Sequence, residues 1–371
     1  MKHSMKRILK LGTFLSIVIF LSACKGTEDI EPTDQETFNK RNMLESFADR
    51  IIIPNLAALK TSVTKLKNST DVFIQSPTQE NLDLLRMHWD SSYVDFLHCN
   101  AFNFGPGLVP ITGMFAENIG VWPVNTARVE QRIQQKNYSI QDFERDTRGF
   151  QAVEYLLFSE DALVKFQDTL TGSDRKAYLQ ALIQHISGWV ISMNNGWVTY
   201  RTEFIENNGN DAGSSISMLY NSYLESFESL KNFKIGIPAG VRAGQTQAEP
   251  TKTESYYSGY STRHLKEHFD AIYYMWKGNS RTRITGIGFD DWLNSLQDGK
   301  TLLSETTLRF EELKTLNQSF NDSVSVSNYV GSDLVKVQNM YTEYQKITRY
   351  LKSDLSSLIG IAITYSSGDG D

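Results

Sequence analysis

Apolar side chains recur at every third or fourth position over most of the chain, and this spacing constrains the fold more than any other feature. Leu82, Leu85, Trp89, Tyr93 and Phe96 form one such stripe along a single helix face. Strand-like alternation is rare, so the pattern predicts an all-α protein. The predicted helical segments are 37–68, with a kink or division at Pro54, a helix that follows a start signal at 76–78, and 173–207, 213–233, 261–277, 289–297, 301–318 and 328–359.

Two long segments rich in glycine and proline interrupt this helical pattern. They cover residues 103–125 and 235–260. Loops of more than about 20 residues in a compact domain are usually functional or connect two domains. The second segment therefore predicts a boundary between an N-terminal helical bundle at 37–235 and a C-terminal helical bundle at 236–371.

The first 24 residues follow the pattern of a bacterial lipoprotein signal. Basic residues precede an apolar run from Leu11 to Ala23, which is too short to remain as a membrane-spanning helix. We expect a signal peptide at 1–23, lipidation of Cys24 and a flexible polar tether at 24–36. The predicted location is the outer membrane of a Gram-negative bacterium, with the protein facing the periplasm or the cell surface. An ordinary secretory signal is the alternative, and it also predicts export.

The charge balance argues against one class of partner. The formal net charge is -6, and removal of the signal peptide with its four basic residues would change it to -10. An acidic protein does not favour nucleic acid, whereas it is compatible with cationic ligands, metals included. After lipidation of Cys24 only Cys99 would remain, so no disulfide within the chain is expected.

One polar pair lies within an apolar helical stretch, Gly149-Phe-Gln-Ala-Val-Glu-Tyr-Leu-Leu-Phe158. Gln151 and Glu154 are three residues apart and project from the same helix face. Ser139-Ile-Gln-Asp142 resembles a capping box that would open this helix. Periodicity alone favours a pair at the edge of a buried surface, with Glu154 hydrogen-bonded or ion-paired. A ligand site is the other interpretation.

Several segments, in order along the chain, resemble the imelysin family. The stretch 149–158 is similar to the family signature Gly-x-His-x-x-Glu followed by Tyr-Leu-Leu-Phe, except that Gln151 stands at the histidine position. The other similar segments are Trp89 with Phe102-Asn-Phe-Gly-Pro106, Trp122, Glu254-Ser-Tyr-Tyr-Ser-Gly-Tyr-Ser261 and the ending Gly360–Asp371.

The resemblance implies an exported, often lipid-anchored protein with two helical domains and a cluster of signature residues between them. The namesake of the family was classed as a metallopeptidase, and relatives are linked to iron uptake. Glutamine is a weak metal ligand and no general base, so Gln151 argues against peptidase chemistry at this position. The ligand-binding residues that we predict on this basis are Phe104, Gly105, Pro106, Trp122, Gly149, Gln151, Glu154, Glu254, Ser255, Ser258 and Ser261.

A second motif, His264-Leu-Lys-Glu267-His268, has the spelling of an inverted zinc-peptidase motif. Two histidines four residues apart share a helix face and can bind one metal, with Glu343 as a possible third ligand and Glu267 as a base. A solvated helix face is the alternative. The neighbouring His98 and Cys99 diverge around a helix and do not suggest a catalytic pair. The acidic tail at 366–371 predicts either a calcium site or a solvent-exposed end.

The sequence therefore predicts a non-enzymatic lipoprotein that binds a ligand of iron or metal acquisition at the interface of two helical domains. Glu154 would be the metal ligand or charged acceptor in the cleft, with iron or another divalent metal as the possible cofactor. Its partners would be the membrane, through Cys24, and an outer-membrane receptor, but not nucleic acid. A metal-dependent peptidase and an accessory partner of such a receptor are the two alternatives.

Overall fold

The computed structural model describes residues 38–140 and 143–365. The chain from Phe38 onward forms one compact unit. The predicted signal peptide, the lipidation site Cys24, the tether at 24–36 and the acidic tail at 366–371 all lie outside the described residues. Within the described ranges, no helix is long and apolar enough to cross a membrane.

Helices make up almost all of the regular structure, which confirms the predicted all-α class. Three π-helical segments, Phe47–Ile52, Leu230–Gly236 and Tyr350–Leu355, continue α-helices. The α-helices are α1 (Lys40–Ser46), α2 (Ile53–Gln75), α3 (Gln79–Leu97), α4 (Phe115–Ile119), α5 (Thr126–Gln134), α6 (Gly149–Phe158), α7 (Ala162–Gln167), α8 (Gly172–Glu206), α9 (Ser215–Ser229), α10 (Ile237–Ala239), α11 (Ser261–Trp276), α12 (Phe289–Ser295), α13 (Gly299–Gln318), α14 (Val326–Ser332), α15 (Leu334–Arg349) and α16 (Ser356–Ile359).

Two predicted helices differ from the structure in how they are interrupted. Pro54 directly follows the π-helical segment Phe47–Ile52, and the chain stays helical from Lys40 to Gln75. The missing N–H of the proline is therefore accommodated by a local π-helical turn and not by a division of the helix. The predicted helix at 328–359 is instead divided at Asp333, whose side chain accepts a hydrogen bond from the N–H of Lys336 and starts a new helix.

The glycine- and proline-rich segment at 103–125 is folded rather than irregular. It contains a 3-10 turn at Gly105–Gly107, an antiparallel hairpin of β1 (Leu108–Val109) with β2 (Gly113–Met114), and then α4. The second segment contains α10 and a 3-10 turn at Pro250–Lys252. Both segments therefore contain regular secondary structure.

The predicted domain boundary at residue 235 falls inside a continuous helical run from Ser215 to Ala239. The buried apolar residues of both halves also belong to one hydrophobic cluster, which includes Leu56, Leu182 and Tyr344. The chain therefore has no break at this position, and the division into two bundles stays a prediction.

Helix α6 is the element on which the candidate site is built. It begins at Gly149, ten residues after Ser139, so the predicted capping box does not open this helix. Gly149 has a φ of 77°, and a Cβ there would come within 2.4 Å of the carbonyl oxygen of Ile119. The close approach of these two backbones explains why a glycine opens the helix.

Neighbouring helices enclose α6 on all sides. The indole N–H of Trp89 in α3 donates to the carbonyl of Phe150 at 2.9 Å, and the Trp89 ring stacks on Tyr93. Gln151 and Glu154 are only 2% and 1% exposed. The expectation that this pair lies at the edge of a buried surface is therefore wrong, because α6 is a core helix whose polar side chains face other protein groups.

Candidate functional site

Gln151 and Glu154 both hold the segment that connects Glu254 to Ser258. The backbone N–H of Ser255 donates to Oε1 of Gln151 at 3.0 Å. The backbone N–H and the hydroxyl of Ser258 both donate to Oε1 of Glu154, at 2.7 and 2.6 Å. We call Gln151, Glu154, Glu254, Ser255 and Ser258 the signature cluster. Two stretches of sequence about 100 residues apart thus meet in one buried polar group.

Glu254 is the ion-paired carboxylate of the signature cluster. Its Oε1 lies 2.8 Å from Nζ of Lys234 and accepts a hydrogen bond from the hydroxyl of Tyr93. Lys234 also lies over the ring of Trp122, 5.5 Å from its centroid. Two polar atoms of the cluster remain unsatisfied. Oε2 of Glu254 and Nε2 of Gln151 have no hydrogen-bond partner in the described part of the chain.

Burial controls the proton affinity of these groups. It raises the pKa of Glu154 from 4.5 to about 7, with a smaller contribution from the charge of Glu254, while the hydrogen bonds from Ser258 oppose the rise. Burial also lowers the pKa of Lys234, against the attraction of Glu254. The pKa of Tyr93 is raised well above its usual range by burial and by Glu254. The cluster therefore carries little free charge near neutral pH.

A chain of serine, histidine and aspartate passes through the same region, and sequence reasoning missed it. Oγ of Ser255 lies 2.7 Å from Nδ1 of His264, and Nε2 of His264 lies 3.0 Å from Oδ1 of Asp90. Ser255 has a φ of 54°, a strained conformation for a residue other than glycine. The positive φ of Ser255 cannot be read from the sequence, and Asp90 is 174 residues away from His264.

This chain of residues resembles a catalytic triad only in its composition. Ser255 and His264 are both 0% exposed, so a substrate has no access to the hydroxyl. The backbone N–H of Ser255 already donates to Gln151 and is not free to stabilise an oxyanion. Burial lowers the pKa of His264 to about 3. The arrangement fixes the strained turn at Ser255 and holds α11 against α3.

The histidines of the zinc-type motif do not converge on one point. His264 contacts Ser255 and Asp90, as described above, while Nε2 of His268 lies 2.8 Å from Oγ of Ser226. Glu267 lies 3.1 Å from Nε2 of His98, and Glu343 is paired with Lys346 at 2.7 Å.

We tested whether a metal fits the signature cluster or the zinc-type motif. Over the described ranges, no group of three or more His, Cys, Asp or Glu side chains is placed to hold a metal ion. Oε1 of Gln151 and Oε1 of Glu154 are occupied by backbone N–H groups. The residues present therefore do not fit a resident metal at either place.

Comparison with known proteins defines the family. The Imelysin model (Peptidase_M75) matches residues 52–346. The chain belongs to the imelysin family. Iron-regulated protein A of Synechococcus elongatus is 21% identical over 270 residues, which are 71% of this chain and 70% of that protein.

Two solved structures share the fold of this imelysin-family chain. One, from Parabacteroides distasonis, is described as an iron-regulated protein A precursor; it has a TM-score of 0.71 and 16% identity and covers 91% of this chain and 97% of its own. The other is an imelysin-like protein from Psychrobacter arcticum, with a TM-score of 0.70 and 16% identity over 90% of this chain and 99% of its own. These likenesses confirm the all-helical family fold.

An open cavity of about 400 Å³ lies beside the buried signature cluster of this imelysin-family protein. We call it the Trp122 chamber. It shares two contacts with the buried region: Trp122 lies against Lys234, and Ser226 contacts His268. Its walls come from the 103–125 segment, α9 and the π-helical segment at 230–236. The lining includes Asn100, Asn103, Met114, Glu117, Gly120, Trp122, Pro123, Glu225, Ser226, Glu228, Asn232, Phe233 and Lys252.

Glu225 gives the chamber its charge. It is half-buried and has neither an ion pair nor a hydrogen bond to any residue in 38–140 or 143–365. Its pKa is raised by burial and by the nearby Glu117 and Glu228. Sequence reasoning missed Glu225, although Glu225 and Glu228 are the only charged residues of α9 and were a usable signal.

The remaining predicted site residues have other neighbours. Phe104 packs edge-on against Trp197, and a Cβ at Gly105 would clash with the ring of Tyr200. Pro106 lies close to Gly196, which belongs to α8. Ser261 accepts a hydrogen bond from the N–H of Val326 at 2.8 Å and so links α11 to α14.

Of the predicted set, the structure brings together Gln151, Glu154, Glu254, Ser255 and Ser258, with Trp122 reached through Lys234. Gly149 belongs to this group through the backbone, because it starts the helix that carries the pair. Phe104–Pro106 and Ser261 have structural contacts elsewhere. The ligand-binding role of each residue stays a prediction.

Proposed function

We propose that this imelysin-family protein is an exported, lipid-anchored, non-enzymatic binding protein that takes a cationic ligand into the Trp122 chamber. Its role would lie in iron or other metal acquisition. The observation that carries this proposal is Glu225, a carboxylate with no ion pair or hydrogen bond to the residues at 38–140 and 143–365. It lies in an open chamber that also offers an aromatic ring at Trp122. Carboxylates and aromatic faces both attract cations, most strongly where water is partly excluded.

The form of the cation follows from the donors that surround it. Glu117 is paired with Arg145 at 2.8 Å, and Glu228 lies 3.3 Å from Lys352. Because these two carboxylates have cationic partners, Glu225 supplies the main uncompensated charge. A single carboxylate suits an ion that keeps its own ligands or water, or an organic ammonium group, better than a bare metal ion that needs several protein donors.

The sealed geometry of the signature cluster supports a binding role rather than an enzymatic one. Gln151 is no proton acceptor, and Oε1 of Glu154 is engaged by Ser258. Ser255 and His264 are closed to solvent. The metal-dependent peptidase is therefore the weaker candidate, since it needs an accessible base and an activated water.

The link to iron rests on relatives. The Synechococcus protein is called iron-regulated protein A, and the Parabacteroides structure carries the same description. These names concern regulation by iron and leave the cargo open. Iron, another divalent metal or a complex of either is the ligand class that we propose for this chain.

The proposed anchor is a lipid at Cys24, and the proposed location is the outer membrane, facing the periplasm or the cell surface. An outer-membrane receptor would then be the partner to which the ligand passes. Replacement of Cys24 by serine should move the protein from the membrane fraction to the soluble exported fraction. Retention of the Cys24→Ser protein in membranes would contradict the lipid anchor.

The binding proposal is tested by calorimetric titration of the protein from residue 38 onward with two probes. Hexaamminecobalt(III) represents a cation that keeps its ligands, and anaerobic Fe(II) represents the metal alone. We expect hexaamminecobalt(III) to bind, and Glu225→Gln to weaken it at least about tenfold, because one charge is lost in a partly dry chamber. Glu80→Gln, at an exposed helix start, is the matched control.

Two results would contradict this proposal. One is the absence of binding for both probes in the unchanged protein. The other is equal binding in Glu225→Gln and Glu80→Gln, which would place the cation outside the chamber. Cleavage of a peptide library by the purified protein, lost in Glu154→Gln, would instead favour the peptidase.

A further inference from the structure

A second and larger cavity, of about 790 Å³, lies on the other side of α4 from the Trp122 chamber. We call it the Trp189 cavity. Its floor is the middle of α8, around Gly188 and Trp189, and its walls are the β1–β2 hairpin and lining residues from 138–140 and 143–148. Its volume is within the range of about 300–1,000 Å³ that binds small organic molecules.

The walls of the Trp189 cavity are held in place by buried hydrogen bonds. The guanidinium of Arg148, which is itself buried, donates to the carbonyl of Ile140 at 2.7 Å and to Oδ1 of Asn118 at 2.5 Å. Nδ2 of Asn118 in turn donates to the carbonyl of Thr112 in the hairpin at 2.9 Å. Both walls are therefore tied to α4, and the cavity is preformed.

The floor of the Trp189 cavity has an unused space. A Cβ at Gly188 would meet no atom within 4 Å. Glycine inside a long helix is unfavourable compared with alanine, and the contacts of this helix do not demand it here. The half-buried ring of Trp189 borders the same space. The result is an open surface in the middle of α8, where the ring of Trp189 lies beside a helix position without a side chain.

The rim exposes apolar side chains that a protein usually buries. Ile111, at the tip of the hairpin, is 90% exposed and has a φ of 77°, which strains a β-branched residue. Phe143, on the opposite wall, is 83% exposed. Exposed apolar residues around a concave surface are typical of a binding site.

Two of the titratable groups at the cavity offer no net charge to a ligand. Arg145 is neutralised by Glu117 at 2.8 Å. Burial, together with the charge of Arg148, lowers the pKa of His185 to about 4, so its ring is neutral at physiological pH. The guanidinium of Arg148 is engaged by the walls.

We infer that the Trp189 cavity binds an uncharged organic molecule with an aromatic or aliphatic body, which stacks on Trp189 over Gly188 and contacts Ile111 and Phe143 at the rim. This inference is independent of cation binding in the Trp122 chamber, because the two cavities open on opposite sides of α4.

The test uses the neutral fluorophore N-phenyl-1-naphthylamine, whose emission rises in apolar surroundings. We expect saturable binding by the unchanged protein. Gly188→Leu should weaken it at least about tenfold, because the new side chain fills the space over the helix. Gly331→Leu is the matched control, since a Cβ at Gly331 also meets no atom within 4 Å but lies in another helix. Ile111→Ser should weaken binding about threefold.

The inference is overturned if the unchanged protein shows no saturable binding, or if Gly188→Leu binds as tightly as Gly331→Leu. Leucine favours helices more than glycine, and circular dichroism would verify that Gly188→Leu remains folded. Glu225→Gln should leave the affinity for the fluorophore unchanged, so loss of cation binding and loss of fluorophore binding are distinguishable outcomes. A fluorophore displaced only by hexaamminecobalt(III) would also overturn the inference.

Discussion

The signature cluster and the Trp122 chamber lie next to each other, but their carboxylates differ in solvent exposure and in hydrogen bonding. Glu154 and Glu254 are closed to solvent, and each is held by protein donors. Glu225 is half-buried in an open chamber and has no ion pair or hydrogen bond within the described ranges. The cluster therefore stabilises the structure, and the chamber is free to take a ligand.

Under the proposed function, the family signature supports the fold and is not the surface that touches the ligand. In this chain the signature residues fasten the Glu254–Ser258 segment to α6, and Lys234 connects that segment to Trp122. The following changes test the contrast, from the largest expected effect on stability to the smallest.

The Lys234–Glu254 pair should give the largest effect. Lys234→Met alone leaves a buried carboxylate without its cation, so we expect a loss of about 3–5 kcal/mol in the free energy of unfolding. The double change Lys234→Met with Glu254→Leu should recover most of this loss. Urea unfolding measures the stability of the single and the double variant. The control is Lys346→Met, which removes the cation of the exposed pair with Glu343. Its loss should be under about 1 kcal/mol.

Glu154 should make stability depend on pH near neutrality. Its pKa is raised from 4.5 to about 7 in the folded state, so the folded protein holds a proton that the unfolded chain releases. Stability relative to Glu154→Gln should be highest below about pH 4.5 and should fall by about 3 kcal/mol as pH rises through 7. If the difference in the free energy of unfolding between the two proteins stayed constant from pH 4.5 to 8, the Glu154 carboxyl would not be buried away from solvent.

Ser255 offers two substitutions that separate strain from hydrogen bonding. Ser255→Ala keeps a Cβ at φ 54° and leaves Nδ1 of His264 without its partner, which should cost about 1–3 kcal/mol. Ser255→Gly loses the same contact but relieves the backbone, so it should be less destabilising by roughly 1 kcal/mol. The unfolding temperatures of both variants test this prediction. A lower unfolding temperature for Ser255→Gly than for Ser255→Ala would contradict a strained turn.

Glu225→Gln should have the smallest effect on stability. Because Glu225 makes no ion pair or hydrogen bond to the described residues, its loss should change the free energy of unfolding by no more than about 0.5 kcal/mol, or stabilise the fold slightly. Urea unfolding beside Glu154→Gln gives the comparison. A loss as large as that of Lys234→Met would mean that Glu225 is structural.

Much of the fold could be predicted, because helical periodicity is local. The pattern at Leu82–Phe96 gave α3, and the segment 173–207 matched α8 almost to its ends. The burial of α6 could not be predicted in this way. A helix with Gln151 and Glu154 on one face has the same periodicity whether that face meets water or a polar loop.

The site was predictable only in part, for a physical reason. The ordered resemblance indicated that 149–158 and 254–261 belong together, and hydrogen bonds join them. It gave no indication that Asp90 would reach His264, since that contact depends on how α3 and α11 pack. Glu225 was missed because its proposed role depends on having no partner among the residues that the structure describes, and this can be seen only in three dimensions.

Anomalous diffraction from crystals soaked in hexaamminecobalt(III) would test the central claim most directly. We expect a cobalt peak in the Trp122 chamber near the Glu225 carboxylate, with Gln151, Glu154 and Glu254 in their present contacts. A cobalt peak bound to Glu154 or Glu254, or no ordered cobalt on the protein, would contradict it.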